Sequence, residues 1–260
     1  MSRMPALFIS HGSPELALRP TPAHRFLTGL AADLPRPKAI LTVSAHWETT
    51  EPAVNVGAAP ATVYDFGGFD PRLRQIVYRA PGAPDLAERA AAMIEAAGLT
   101  VTRDASNGWD HGVWVPLHLA YPAADIPVAQ LSIQPQRTPA HHYALGQALA
   151  ALRDDGVLIA ASGALTHNLR AFRGQPVDAL VPEWVEGFRQ WMADRLAAGD
   201  HAALLDYRRQ APFATENHPE DEHLLPLYVA LGTSREGEPV RRIHASVEHG
   251  VIAMDVYRFG

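Results

Sequence analysis

Short unbroken apolar runs alternate along the chain with longer stretches in which apolar residues recur every three or four positions. The runs at residues 6–9, 39–43 and 157–161 show little polar alternation. Such runs read as strands buried on both faces, central in a helix-covered sheet. Residues 126–133 read as a further strand, those around Val101 as a short one, and 243–259 as the last strands. Helical spacing covers residues 22–32, opened by Thr21-Pro22 as cap and first-turn proline. It recurs at 83–97, closed by Gly98. Further helices are expected at 140–152, at 182–198 with Trp184 and Trp191, and at 223–231. Alternating strands and helices predict an α/β fold: a mostly parallel or mixed sheet with helices on both faces. No repeat, linker or composition shift divides the chain, so one catalytic domain over residues 1–260 is expected.

Composition narrows the chemistry. Hydrophobic residues make up 47% and charged residues 19%, which excludes general disorder. The net charge is −6, and the basic clusters are as short as Arg208-Arg209 and Arg241-Arg242, so nucleic acid is not an expected partner. No run is long and apolar enough to span a bilayer. The apolar run after Pro5 is too short for a secretory leader, which makes the cytoplasm the expected location. No heptad or exposed stripe sets an oligomeric state. The chain has no cysteine but 13 histidines. Disulfides, thiol catalysis, iron–sulfur clusters and thiolate zinc sites are therefore excluded.

Three histidines follow the three best central strands. His11 comes directly after Ile9-Ser10, His46 after Ser44-Ala45, and His167 shortly after Ser162-Gly163. In open α/β sheets the ligand crevice lies beyond the carboxyl ends of the strands, so parallel neighbours would bring these imidazoles together. Gly12 and Gly112 follow His11 and His111, where glycine permits a sharp turn and close ligand approach. Taken singly, each histidine also reads as a hydrogen-bonded loop residue. Gly108-Trp109-Asp110-His111-Gly112 suits a crevice wall, but reads first as a tight turn whose Asp bonds the backbone. The acidic stretch from Glu216 to His223 reads as a solvated helix start, or as the source of one more metal ligand. His24, His118, His141, His142, His201, His218, His244 and His249 carry no functional expectation.

The ordered set His11-Gly12-Ser13-Pro14, Ser44-Ala45-His46-Trp47, Tyr64-Asp65-Phe66-Gly67-Gly68-Phe69, Asp110-His111-Gly112, Thr166-His167-Asn168-Leu169 and Glu222-His223-Leu224-Leu225-Pro226-Leu227 resembles the class III extradiol ring-cleavage dioxygenases. The likeness is to the branch resembling 4,5-DOPA dioxygenase, and it runs from residue 5 to the C-terminus. It implies a non-haem Fe(II) at the strand ends, held by His11, His46 and His223, with neighbouring Glu222 as the alternative third ligand. Zn(II) can occupy such a site on isolation, because zinc binds nitrogen sets more tightly than Fe(II). The resemblance implies His167 as catalytic acid–base and His111 as a second active-site histidine. Asp110, Tyr64 and Phe66 are placed at the substrate, Asp110 orienting His111 and residues 64–69 forming an aromatic wall. The implied reactants are a small catechol and O2. Two other functions fit the same histidines at this stage: a zinc hydrolase that activates water, and a metal-binding protein without activity.

Overall fold

The computed structural model describes residues 3–260. Its strands are β1 (Ala6–Ser10), β2 (Ala39–Glu48), β3 (Ala53–Asn55), β4 (Thr102–Asp104), β5 (Val128–Ile133), β6 (Val157–Gly163), β7 (Val240–His244), β8 (Val247–Glu248), β9 (Ile252–Ala253) and β10 (Val256–Phe259). Eight of them form one sheet in the order β4-β3-β5-β2-β6-β1-β10-β7, while β8 and β9 form a separate hairpin. The four central strands, β5, β2, β6 and β1, are parallel neighbours. Antiparallel strands flank them, β10 beside β1 and β3 beside β5. The helices are α1 (Pro22–Gly29), α2 (Pro84–Ala96), α3 (His111–Ala120), α4 (Pro139–Leu149), α5 (Leu169–Phe172), α6 (Glu183–Ala198), α7 (His201–Leu205), α8 (Tyr207–Gln210), α9 (Ala214–Asn217) and α10 (Leu225–Gly232).

The central strands are apolar on both faces because each face has its own core. Alternate side chains Phe8, Leu41, Val43 and Ile159 pack with α2, α4, α6 and α10. Leu7, Ile9, Ile40 and Leu158 point the other way, onto α1 and α3. The period of two along a strand produces this division. Each fully buried Leu, Ile or Phe adds roughly 1.5–3 kcal/mol. The expected α/β sheet with helices on both faces is the observed one, and parallel β1, β6 and β2 end on the same edge.

Two expectations need correction. Residues 108–114 are not a simple tight turn: Asp110 caps α3, its Oδ1 accepting from Val113 N at 3.3 Å. Helix α3 is buried almost all round and contains Pro116, so it has no polar stripe to mark it. The last helix begins at Leu225 rather than at residue 223, which leaves His223 in the turn ahead of it.

Two of the histidines without a functional expectation are core residues. His142 Nδ1–H donates to Thr138 O at 3.0 Å and its Nε2 accepts from Gln134 N at 3.1 Å. His218 Nε2–H donates to Leu165 O at 2.8 Å. Burial pushes each pKa down to about 4. The unfolded chain therefore binds more protons between about pH 6.5 and pH 4, and stability falls as pH drops through that window. Each histidine should remove roughly 3 kcal/mol by the bottom of the window. Urea midpoints taken from pH 7 down to pH 4 check this, and a midpoint unmoved above pH 5 would contradict it.

Candidate metal centre and active site

Five histidines meet at the carboxyl edge of the parallel strands. His11 follows β1, His46 lies near the end of β2, His111 opens α3, His167 follows β6, and His223 precedes α10. Gly12 turns the chain away after His11 at φ +60, and a Cβ there would stand 2.7 Å from Met254. Gly112 lets α3 approach β2, since a Cβ on it would reach 2.5 Å from Ser44 Oγ and 3.1 Å from His46 Cδ2. Ring centroids are 4.9 Å apart for His11–His46, 4.9 Å for His46–His223 and 5.5 Å for His11–His223. His111 lies 4.0 Å from His46, and His167 stacks on His223 at 3.4 Å.

Hydrogen bonds determine which ring nitrogen each imidazole presents. Ser162 Oγ has one proton, which it donates to Gly112 O at 2.5 Å. It must then accept from His11 Nδ1, 2.9 Å away. His223 Nδ1 faces Glu222 Oε1 at 2.8 Å, and His46 Nδ1 faces Asp65 Oδ2 at 3.4 Å. Ionised carboxylates only accept, so His223 Nδ1 carries its proton, and the carboxylate 3.4 Å from His46 Nδ1 favours the same tautomer there. All three rings thus keep a lone pair on Nε2. The Nε2 atoms of His11 and His46 stand 3.0 Å apart. Two bare lone pairs at that distance repel unless a cation lies between them. Nitrogens each about 2.1 Å from one ion and at right angles around it are separated by roughly 3.0 Å. The donor set therefore fits a divalent ion, with one ligand atom each from His11, His46 and His223 lying within 4.8 Å of one another.

Electrostatics favour the same reading. Burial, followed by the neighbouring imidazoles, pulls His11 and His46 well below the ordinary histidine value. Burial takes His223 down to about 3, with His167 adding to the shift. Neutral rings with free lone pairs are what a metal needs. Burial alone would raise Glu222, but hydrogen bonds from His167 and His223 outweigh it and hold the carboxyl well below the usual range. Asp65 behaves alike: burial raises it, and the His111 contacts outweigh that and lower it.

A cavity of about 160 Å³ opens beside the histidines. His46, His111, His167 and His223 form its polar wall, and Phe66 and Phe172 belong to its apolar one. The volume suits one small aromatic ring, being below the range for drug-sized ligands.

The structure departs from expectation at two substrate positions. Asp110 does not reach the cavity or the His111 ring, because its carboxylate accepts from Ser44 Oγ at 2.6 Å and Gln130 Nε2 at 2.8 Å. Tyr64 stands behind Phe66, its hydroxyl donating to Ile76 O at 2.8 Å. Phe66 lines the cavity. Glu222 sits against His223 Nδ1, on the ring edge opposite the lone pair. Sequence reasoning passed over Asp65 and Ser162, which anchor His46, His111 and His11. Asp65 lay inside the motif that also supplied Tyr64 and Phe66, so its position was available as a signal.

The family profile described as the catalytic LigB subunit of aromatic ring-opening dioxygenase matches residues 6–257. The chain belongs to this LigB family. This LigB-family chain is 43% identical over 256 residues to a protein named 4,5-DOPA dioxygenase extradiol from Beta vulgaris, covering 97% of this chain and 95% of that one. It is 38% identical to a protein of the same name from Escherichia coli K12, covering 97% and 93%. A crystal structure of an uncharacterized protein from Escherichia coli K12 superposes with a TM-score of 0.84 at 36% identity, covering 99% of this chain and 100% of that one. The LigB-family chain is thus an extradiol-type, ring-cleaving dioxygenase, an oxidoreductase acting on a small aromatic substrate with O2. Dioxygenases of this family are metal-dependent, and the three-histidine set is a site able to hold the ion. Among the described residues no helix is long and apolar enough to cross a membrane.

Proposed function

We propose that the chain, as one catalytic domain over residues 1–260, cleaves the ring of a small DOPA-like catechol with O2 in the cytoplasm. The observation that carries this reading is the convergence of His11, His46 and His223, with free Nε2 lone pairs, at the wall of a cavity that His46, His111, His167 and His223 line. These three would hold Fe(II). Bound there, Fe(II) would supply a redox-active centre for the reaction of catechol with dioxygen, which Zn(II), lacking an accessible redox change, would not.

The remaining chemistry belongs to side chains. Phe66 and Phe172 give the catechol ring an apolar wall that helps to exclude water. His167 Nδ1 faces Glu222 Oε1 at 3.3 Å, which leaves Nε2 to take the proton of a catechol hydroxyl. His167 returns that proton as the ring opens. His111 Nδ1 is held by Asp65 Oδ2 at 2.9 Å, so its Nε2 is free to accept from the second hydroxyl. Both oxygen atoms end in the product and no other oxidant is needed. Anaerobic loading with Fe(II), addition of catechols and admission of O2 test the proposal. The expected result is oxygen uptake with a yellow ring-opened product. No uptake across a broad catechol panel would overturn it.

A further inference from the structure

Each of the two carboxylates beside the histidines touches a pair of imidazoles, one from the metal-holding set and one from the reaction pair. Asp65 Oδ2 lies 2.9 Å from His111 Nδ1 and 3.4 Å from His46 Nδ1. Its other oxygen accepts from His111 N at 2.9 Å, at the start of α3. Glu222 Oε1 lies 2.8 Å from His223 Nδ1 and 3.3 Å from His167 Nδ1. The two arrangements are inverted: Asp65 grips the reaction histidine tightly and the metal-set histidine loosely, and Glu222 does the reverse. Neither carboxylate lines the substrate cavity.

We propose that Asp65 and Glu222 are positioning residues, each holding one metal-set imidazole and one reaction imidazole in the tautomer that turns Nε2 toward the centre. A carboxylate is suited to this because one oxygen can accept two N–H groups and has no proton of its own to offer. Partners of this kind fix ring orientation and raise ligand basicity, and losing one typically costs 10–100-fold in metal affinity or activity. Asp65 has a second consequence. It sits on the loop that carries Phe66 into the cavity, so the aromatic wall is tied directly to His111 and His46.

The two sites differ in how a neutral amide should behave. Both Glu222 contacts go to Oε1, and Oε2 has no hydrogen-bond partner. Glutamine can therefore keep both contacts, with its amide nitrogen in the place of Oε2. Asp65 uses both oxygens, so Asp65→Asn sets an N–H against either His111 N–H or His111 Nδ1–H and turns one bond into a clash. Asparagine should thus fail nearly as badly as alanine at 65, and glutamine should rescue at 222.

The inference rests on the reading of His11, His46 and His223 as the metal-holding set, so its test starts from zinc binding, not turnover. Apo wild type, Asp65→Asn, Glu222→Ala and Glu222→Gln are titrated with Zn(II) against a chelator, and long-range proton–nitrogen spectra read the histidine tautomers. Weakening of 10–100-fold is expected for Asp65→Asn and Glu222→Ala, with Nδ1–H lost at His111 in the first and disturbed at His223 and His167 in the second. Glu222→Gln should lie within a few-fold of wild type. In the Fe(II) enzyme, Glu222→Ala should lower kcat with KM unchanged, and Asp65→Asn should also raise KM through the loop. Zinc affinity and tautomers unchanged in both Asp65→Asn and Glu222→Ala would overturn the assignment alone. If Asp65→Asn does not fold, Glu222→Ala with its glutamine rescue decides it. A wild type that binds no zinc would overturn the metal-centre reading and this assignment with it.

Discussion

His46→Ala is expected to purify without stoichiometric metal and to lose ring cleavage by roughly a thousandfold or more, because a metal ion supplies several kcal/mol to such a reaction. His46 is the natural residue to remove. It stands 3.0 Å from His11 Nε2 through its own Nε2, and its ring neighbours His11, His111 and His223. Its loss leaves two nitrogens where three are needed. The fold should survive, because His46 is only half-buried and Asp65, the carboxylate beside it, keeps both of its bonds to His111. Metal content by mass spectrometry beside turnover at saturating catechol checks this. An alanine variant that still holds one ion per chain would place the site elsewhere.

His167→Ala should behave in the opposite way with respect to metal. The variant is expected to keep its ion and to lose about 10²–10⁴ in kcat, the usual contribution of a positioned acid–base group. His167 stacks on His223 and reaches Glu222, but it is not one of the three whose lone pairs converge. Its loss removes a proton carrier and leaves His11, His46 and His223 with their anchors. Fe(II) content, catechol binding without oxygen, and single-turnover rates separate these effects. Metal loss in this variant would make His167 a ligand.

The central strands were legible in the sequence because both of their faces are buried, which leaves unbroken apolar runs such as Ile40-Leu41 and Leu158-Ile159, whereas the three-residue edge strand β3 was not. The positions after those strands were legible for the same reason, since a parallel sheet must end in loops at one edge. Helix α3 was not legible. Surrounded by core and interrupted by Pro116, it shows neither a polar stripe nor an uninterrupted helical composition. The histidines of the site could be named from motifs, but their tautomers could not. Those depend on Ser162, Asp65 and Glu222, whose partners lie far away in the chain or, for Glu222, include His167 more than fifty positions earlier. Asp110 shows the converse error: beside His111 in sequence, it bonds Ser44 and Gln130 instead, and the neighbour His111 uses is Asp65.

The fate of dioxygen separates ring cleavage from hydrolysis most directly. The Fe(II)-loaded chain, given a catechol and isotopically labelled O2, is expected to consume one O2 per catechol and to leave both labelled atoms in the ring-opened product. Product labelled from water instead, or hydrolysis that proceeds equally well with zinc and without oxygen, would contradict it.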